Sequence, residues 1–561
     1  MLHFVSLVYQ YHQWLQQKCS SVLDNFIFFV SLHRKSCRIN TNYYTNYCFT
    51  MKRILLSLVV LLGVTATQAA KPRMSLIVYN TKKQTVTGFG GACCDGAMKP
   101  FGTDNACVSK LYGAKSKIGL NIMRMEISPS FTGDNWGDYD WYGSLPSVQT
   151  VKKRGVIVFG TPWSPPGDYK TNGTAQGGNA DSQGNQKGKL REDCYEKFFP
   201  WLNTFLDWMQ KKGVNVDAVS LQNEPDWWVS YSGCLYDPAD QVKLVKDYAH
   251  LLDREKFNGV RIISAEPLGY AKEYFDALLN DQTCREQVDI FAGHIYGHMP
   301  LQYIKPVAKK ALPLGKEVWM TEHSVTDNID HMPNWNDNLI FAEELNECML
   351  AGCTGYIYWY LRAHWAFAGT GQAWEHNGES INFPENKKDE LLPRAFVMSH
   401  FSKNVTGSTR LQTSQDETEG RTKEENLANY EFSAYQKGDS IIVMAINATE
   451  KTRDLMVTLP NNVKSGTLWL STGNETENLC QQSELPITES ITQYLYEMPA
   501  KSLNTLIFMV DKGSTAIENV NLVNDDDAPK TYYDLRGRRL ETPHGLCIER
   551  SANGTSRKVI M

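Results

Sequence analysis

Between Gly88 and Tyr360 short apolar runs recur eight times, each followed by connecting sequence, and few architectures tolerate that rhythm. The runs are Gly88–Cys94, Asn121–Ile127, Val156–Thr161, Asp217–Asn223, Arg261–Ala265, Asp289–Ile295, Lys316–Glu322 and Thr354–Tyr360. Helical stretches separate or follow them at Cys194–Lys212, Pro238–Lys256, Asn336–Leu350 and Glu390–Lys403. Strands alternating with crossover helices form parallel sheets, and eight such units over about 300 residues predict an α/β fold of the (β/α)8 barrel type. A doubly wound open sheet is the alternative, but no G-x-G-x-x-G follows the first run. After Lys403 the pattern changes to short β runs separated by Asn, Gly, Lys and Pro turns, which predicts an all-β sandwich beside the barrel.

The expected organisation is therefore a strand over 71–87 that joins the sandwich, a catalytic barrel over 88–403 and a sandwich over 404–511. A polar, acidic linker follows over 512–530, then a small tail over 531–561. In barrels of this kind the C-terminal strand ends build the active face. Two runs deliver a glutamate there: Ser220-Leu221-Gln222-Asn223-Glu224-Pro225 ends the fourth strand, and Val318-Trp319-Met320-Thr321-Glu322-His323 ends the seventh. A carboxyl pair presented this way suits glycosidic bond cleavage. One member must donate a proton; the other must stay ionised and attack. Glu224 is the expected acid/base and Glu322 the expected nucleophile. Glu266, in Ser264-Ala265-Glu266-Pro267, imitates the first motif and would line the cleft or bind sugar instead.

Other strand ends carry support. Asn223 offers an amide to a sugar hydroxyl. Arg124 could hold the nucleophile ionised, or equally form a structural ion pair. Trp163 and Trp359 are expected to wall the sugar under attack, with core packing as the alternative, and Tyr296 to donate to the nucleophile. His294 is as readily a satisfied core histidine. Trp227 and Trp228 follow the acid/base and could stack further sugars. Arg362, after the eighth strand, is a further substrate contact. The Gly-, Asn- and Gln-rich stretch Thr171–Lys189 should be a mobile loop on the active face.

Net charge is −5, which gives no basic field for nucleic acid. Thirteen cysteines include no C-x-x-C pair, so no metal site is expected, and neither is a cofactor.

Taken together, Thr161–Pro166 with Lys170-Thr171-Asn172-Gly173, Gln222–Asp226, His294–Gly297, Trp319–His323, Tyr358–Arg362, Ala395–Lys403 and Ala500–Thr505 resemble glycoside hydrolase family 30, most closely its bacterial xylanase branch. The resemblance runs from about Met74 to Val510. It implies a retaining hydrolase of β-1,4-xylan, endo-acting, with Glu224 and Glu322 in the roles given above. Hydrolysis of another β-glycan, or carbohydrate binding without catalysis, are the alternatives. Glucuronate-reading members of that branch carry two consecutive arginines after the eighth strand, and the second grips the uronic carboxylate. Here the run is Tyr360-Leu361-Arg362-Ala363, so Ala363 stands at that place. Loss of a charge-assisted contact of about 1.5–3 kcal/mol implies no strict dependence on glucuronic acid side groups. The segment Tyr533–Arg539 with Gly545–Ile548 resembles the C-terminal tails of secreted Bacteroidetes proteins. A monomer without a membrane span is expected.

Residues 1–50 lack periodicity. Met51-Lys52-Arg53, the apolar stretch Ile54 to Val64 and small residues through Ala69-Ala70 then read as a secretory signal peptide over 51–70. Translation is expected to begin at Met51, with the chain exported and cleaved near Ala69 or Ala70. Sequencing the N-terminus of the mature protein should find Ala70 or Lys71; a start upstream of Met51 defeats the reading.

Overall fold

The computed structural model describes residues 73–93, 105–129, 141–177, 188–296, 300–325, 333–369, 374–376, 379–381, 389–415, 430–511, 531–533, 539–540, 546–550 and 556–560. The leader and upstream segment expected over 1–70 and the linker over 512–530 lie outside them, as does Cys94. None of the described helices is long and apolar enough to cross a membrane.

Strand β1 (Arg73–Thr85) precedes a closed parallel barrel. Its staves are β2 (Gly88–Cys93), β3 (Ile122–Glu126), β4 (Ile157–Thr161), β5 (Ala218–Ser220), β6 (Arg261–Ala265), β7 (Ile290–Ile295), β8 (Glu317–His323) and β9 (Gly355–Tyr358). Each falls on one of the eight apolar runs. The outer helices are α1 (Asn105–Leu111), α2 (Trp141–Lys152), α3 (Tyr195–Lys211), α4 (Pro238–Tyr248), α5 (Lys272–Asn280), α6 (Gln282–Gln287), α7 (Pro300–Ala311), α8 (Trp335–Ala351) and α9 (Pro393–Asn404). Of these α1, α2, α5, α6 and α7 are not among the helical stretches read from sequence. Two carry an internal proline, Pro146 in α2 and Pro306 in α7, which interrupts the helical signal.

The lower barrel is closed by charge as well as apolar packing. Glu317 on β8 reaches the Arg261 guanidinium on β6, accepts from Thr354 (3.0 Å) and takes the Trp319 indole N–H (2.7 Å). Thr87, just before β2, also donates to it.

The second domain consists of β12 (Thr409–Thr413), β13 (Tyr430–Lys437), β14 (Ser440–Asn447), β15 (Arg453–Ser471), β16 (Gln481–Glu484), β17 (Ile491–Met498) and β18 (Ser502–Val510). A two-stranded hairpin, β10 (Trp374–His376) and β11 (Glu379–Ile381), precedes it. The sequence splits β15 into two runs around Pro460-Asn461-Asn462, whereas the structure keeps one long strand used twice. Its first half pairs with β1 and β17, and its second with β18 and β16. Because β1 also pairs with β12, the sheet returns on itself in the order β1-β12-β13-β14-β18-β15-β1. The 531–560 region forms a separate four-stranded sheet, in the order β20 (Arg539–Leu540), β19 (Thr531–Tyr533), β21 (Leu546–Arg550), β22 (Ser556–Ile560).

Helices α8 and α9 are buried on nearly all sides because the sandwich covers the faces the barrel leaves. The joint is polar and satisfied. The Asn346 amide donates to Glu431 (3.0 Å), Ser433 donates to Asn346 (2.5 Å), and the Trp335 indole donates to the Lys501 carbonyl (2.7 Å). His400 lies between the hydroxyls of Thr505 (2.8 Å) and Ser471 (2.9 Å). Burial holds that imidazole down to about 3, so it is neutral and can donate on one side while accepting on the other.

Where β2 enters the barrel, a Cβ on Gly90 would fall 2.0 Å from the Ile122 carbonyl oxygen, a backbone atom that cannot step aside. Gly90→Ala should therefore destabilise the protein by about 1–3 kcal/mol or more, measured by thermal or urea unfolding. An unchanged melting temperature would refute this packing.

Candidate active site

Four consecutive strand ends converge: Glu224 after β5, Glu266 after β6, His294 near the end of β7 and Glu322 on β8. Local backbone chemistry aims each one. Both glutamates that precede proline turn through a left-handed conformation, Glu224 at φ 44° and Glu266 at φ 58°, which is costly for residues with a Cβ. The Glu224 N–H donates to the Glu266 carbonyl (3.1 Å) and the Glu266 N–H to Ala292 (2.8 Å), so the two turns brace each other. Glu322 is aimed by a bulge. Gly293 pairs with Met320 but His294 pairs with Glu322, an extra residue on β8 that is also felt against β9. Strict alternation from the inward Glu317 and Trp319 would turn Thr321 to the interior; the bulge puts Glu322 there instead. His323 then points outward, to Glu344 of α8 (3.0 Å) and to the Tyr356 hydroxyl.

One carboxylate oxygen of Glu224, one of Glu322 and a ring nitrogen of His294 all lie within 4.8 Å of one another. Arg124, fully buried on β3, ties the cluster together. Its guanidinium pairs with Glu322, donates to the Asn223 side-chain oxygen (2.6 Å) and sits 3.5 Å from Glu266. Asn223 thereby keeps its amide N–H groups for a sugar hydroxyl. The same guanidinium lies over the rings of Trp163 (4.8 Å) and Trp359 (5.8 Å), whose centroids are 5.8 Å apart. The Tyr296 hydroxyl donates to Glu322.

His294 is more than a core histidine. Its Nδ1 is 3.0 Å from Glu224 and 3.7 Å from Glu322, and its Nε2 is 3.5 Å from Glu266. Burial alone would lower it, but the Glu322 charge and hydrogen bonds to Glu224 and Glu266 hold it at about 9. Glu266, with no exposed surface, does not meet substrate. Burial would raise its carboxyl, yet Arg124 and His294 hold it at about 2. Burial lifts Glu322 above its ordinary range, with His294 and Arg124 opposing and the facing Glu224 adding to the rise. Two carboxyls this close share one proton more readily than both ionise. The trio's spacing would also suit a small cation, but Arg124 and protonated His294 already place two positive charges there.

At two places the structure supplies partners that the sequence does not show. Arg362 is 1% exposed and ion-paired with Asp389, so its guanidinium anchors the segment after β9. The expected mobile loop after β4 is tethered where described: Lys170 is buried, and its ammonium donates to the carbonyls of Ala175 (3.0 Å), Gln176 (2.8 Å) and Gly233 (2.5 Å). Residues 178–187 lie outside the described residues.

With this geometry in hand, relatives become informative. Residues 101–294 match the model described as O-Glycosyl hydrolase family 30. The glucuronoxylanase XynC of Bacillus subtilis (strain 168) is 26% identical over 470 residues, 82% of this chain and 96% of that protein. This chain is similar to the family 30 glycosyl hydrolases. The crystal structure of a family 30 subfamily 8 xylanase, Xyn30A from Clostridium acetobutylicum, superposes with a TM-score of 0.61 at 27% identity, covering 78% of this chain and all of that one. An endo-1,6-beta-D-glucanase of Neurospora crassa is 26% identical over 192 residues, 29% of this chain and 38% of that protein. These likenesses carry the barrel-plus-sandwich family 30 fold across most of the described chain.

The raised His294 contributes stability that is complete below its ordinary value near 6.5 and is lost as pH climbs through about 9. Glu266→Gln removes one of its counter-charges. We predict that the His294 midpoint, followed by imidazole 15N NMR, falls clearly below about 9 in that variant, and that unfolding stability drops by about 3 kcal/mol. A midpoint that stays at about 9 would exclude Glu266 as its partner.

Proposed function

We propose that the chain is a secreted retaining glycoside hydrolase that cleaves β-1,4-xylan internally and does not require glucuronic acid side groups. The observation that carries the reading is the approach of the Glu224 and Glu322 carboxylate oxygens to within 4.8 Å. Retaining pairs stand about 5–5.5 Å apart and inverting pairs about 6.5–9.5 Å.

The charges of the cluster support these roles. Three carboxyls face two cations, so one proton on a carboxyl makes the buried group neutral. Glu266 has Arg124, His294 and the Thr161 hydroxyl (3.1 Å), and Glu322 has Arg124 and Tyr296. Glu224 has His294. In the proposed reaction Glu224 supplies the proton that the departing oxygen takes. Glu322 attacks the anomeric carbon while Glu224 protonates the departing oxygen. Glu224, now a carboxylate facing the His294 imidazolium, then takes a proton from water, which displaces Glu322 with net retention. Asn223 offers its amide to the neighbouring hydroxyl, and Trp163 and Trp359 shield the reacting ring.

Xylan is favoured over other β-glycans because the likeness to XynC spans nearly that whole protein, whereas the glucanase match covers 38% of its relative. Independence from glucuronate follows from Ala363, a buried side chain without charge where that branch places an arginine. Export would use the leader before Lys71, with the C-terminal β-module as an address. A binder without catalysis would have no use for a facing carboxyl pair.

A polysaccharide panel with product sizing tests the substrate, and 1H NMR of the first-formed anomer tests the stereochemistry. Xylan should be cut at comparable rates with and without glucuronate, releasing the β-anomer. Glu322→Gln should lower kcat on the order of 10⁴-fold, and Glu224→Ala should recover turnover of activated aryl glycosides with azide. An α-anomer, or strict cleavage beside glucuronate, would overturn the corresponding part.

A further inference from the structure

Nine large hydrophobic side chains stand exposed among the described residues, and three of them fall within five positions just after the acid/base: Trp227 (53%), Trp228 (39%) and Tyr231 (46%). Isolated exposed apolar residues are ordinary, but clustered aromatics beside a catalytic carboxyl mark a binding surface. The segment that displays them is firmly held. The Trp227 N–H donates to the Glu224 carbonyl (3.0 Å), and the Asp226 carboxylate accepts from the Leu268 N–H (2.9 Å). Gly177 donates to the Tyr231 carbonyl (2.7 Å), and Gln176 bridges Ser232. A Cβ on Gly177 would fall 2.2 Å from the Val229 carbonyl oxygen, so the two segments meet without room for a side chain. Lys170 nails the same pair together from inside. An ordered backbone thus presents rings to solvent, and their display costs little further ordering when a ligand arrives.

We propose that Trp227, Trp228 and Tyr231 form a fixed aromatic shelf that receives the sugars on the leaving-group side of the scissile bond, making this an endo-acting site with an extended acceptor half. This rests on Glu224 being the acid/base. The proton donor faces the departing oxygen, and the shelf begins three residues beyond it, bonded to its carbonyl. The other aromatic pair, Trp163 and Trp359, packs on Arg124, which holds the nucleophile, and so serves the sugar being attacked. Tyr231 is presented on the same held segment, its carbonyl fixed by the Gly177 N–H (2.7 Å). The occupants are β-linked pyranosides, whose flat C–H faces stack on indole and phenol rings while their hydroxyls stay in water.

The test uses the full chain and linear xylo-oligosaccharides. We compare kcat/KM for xylohexaose with that for 4-nitrophenyl β-xylobioside, in wild type and in Trp227→Ala/Trp228→Ala. The hexaose-to-aryl ratio should fall about tenfold, and Tyr231→Ala should lower it less. In parallel, Glu322→Gln titrated with xylohexaose should show quenched tryptophan fluorescence that the double variant loses. An unchanged ratio with unchanged quenching overturns the shelf. If wild type leaves xylan and both xylosides intact but cuts another β-glycan, the xylan reading fails, and the same ratio on that glycan's hexasaccharide and aryl disaccharide decides the shelf separately.

Discussion

A guanidinium with no exposed surface organises this molecule's active end. Arg124 cannot lose its proton inside a barrel, so every neighbour must answer its charge or its hydrogen bonds. Glu322 and Glu266 answer the charge, Asn223 supplies an oxygen, and Trp163 and Trp359 offer ring faces. Those partners come from five strand ends. Fixing one planar cation therefore fixes the relative placement of Glu322, the Asn223 amide and the Trp163 and Trp359 rings, the groups to which the proposed reaction assigns attack, substrate binding and shielding. The arrangement is preorganised without ligand, as stabilisation of developing charge requires.

Glu266 and His294 extend that logic. A carboxylate beneath the site, held near 2, keeps an imidazole charged, and the imidazolium faces Glu224, the proposed acid/base. The two Glu-Pro turns look like duplicates in sequence and do different work. One carboxyl lies at the cleft; the other is sealed under it as a fixed counter-charge.

Most of this was legible in the chain, for identifiable reasons. Each of the eight apolar runs became a stave because parallel strands buried on both faces need continuous apolar sequence. Glu224 and Glu322 were readable from their positions at strand ends. Glu266 and His294 were not assigned, since a residue that acts through another leaves no local signature; two glutamates before proline were the available hint. The inward aim of Glu322 was also invisible, because it depends on a one-residue bulge that period-two counting cannot see. The ion pair of Arg362 with Asp389 was not legible either, because the two lie 27 residues apart with no local pattern linking them. Strand β15 was split because a proline and two asparagines ordinarily signal a turn.

The twofold use of β15 has a consequence for how the protein is made. Strand β1 leaves the ribosome first, with Leu76 and Val78 ready for burial, yet Ile77 must wait for Ser414, 337 residues later, before that edge is sealed. Until β15 and β18 are synthesised the ring stays open, and the barrel between them can assemble on its own local contacts. The first described strand thus acts as a latch: early and sticky, it is held in reserve by topology and shut only when the last strands of the second domain exist.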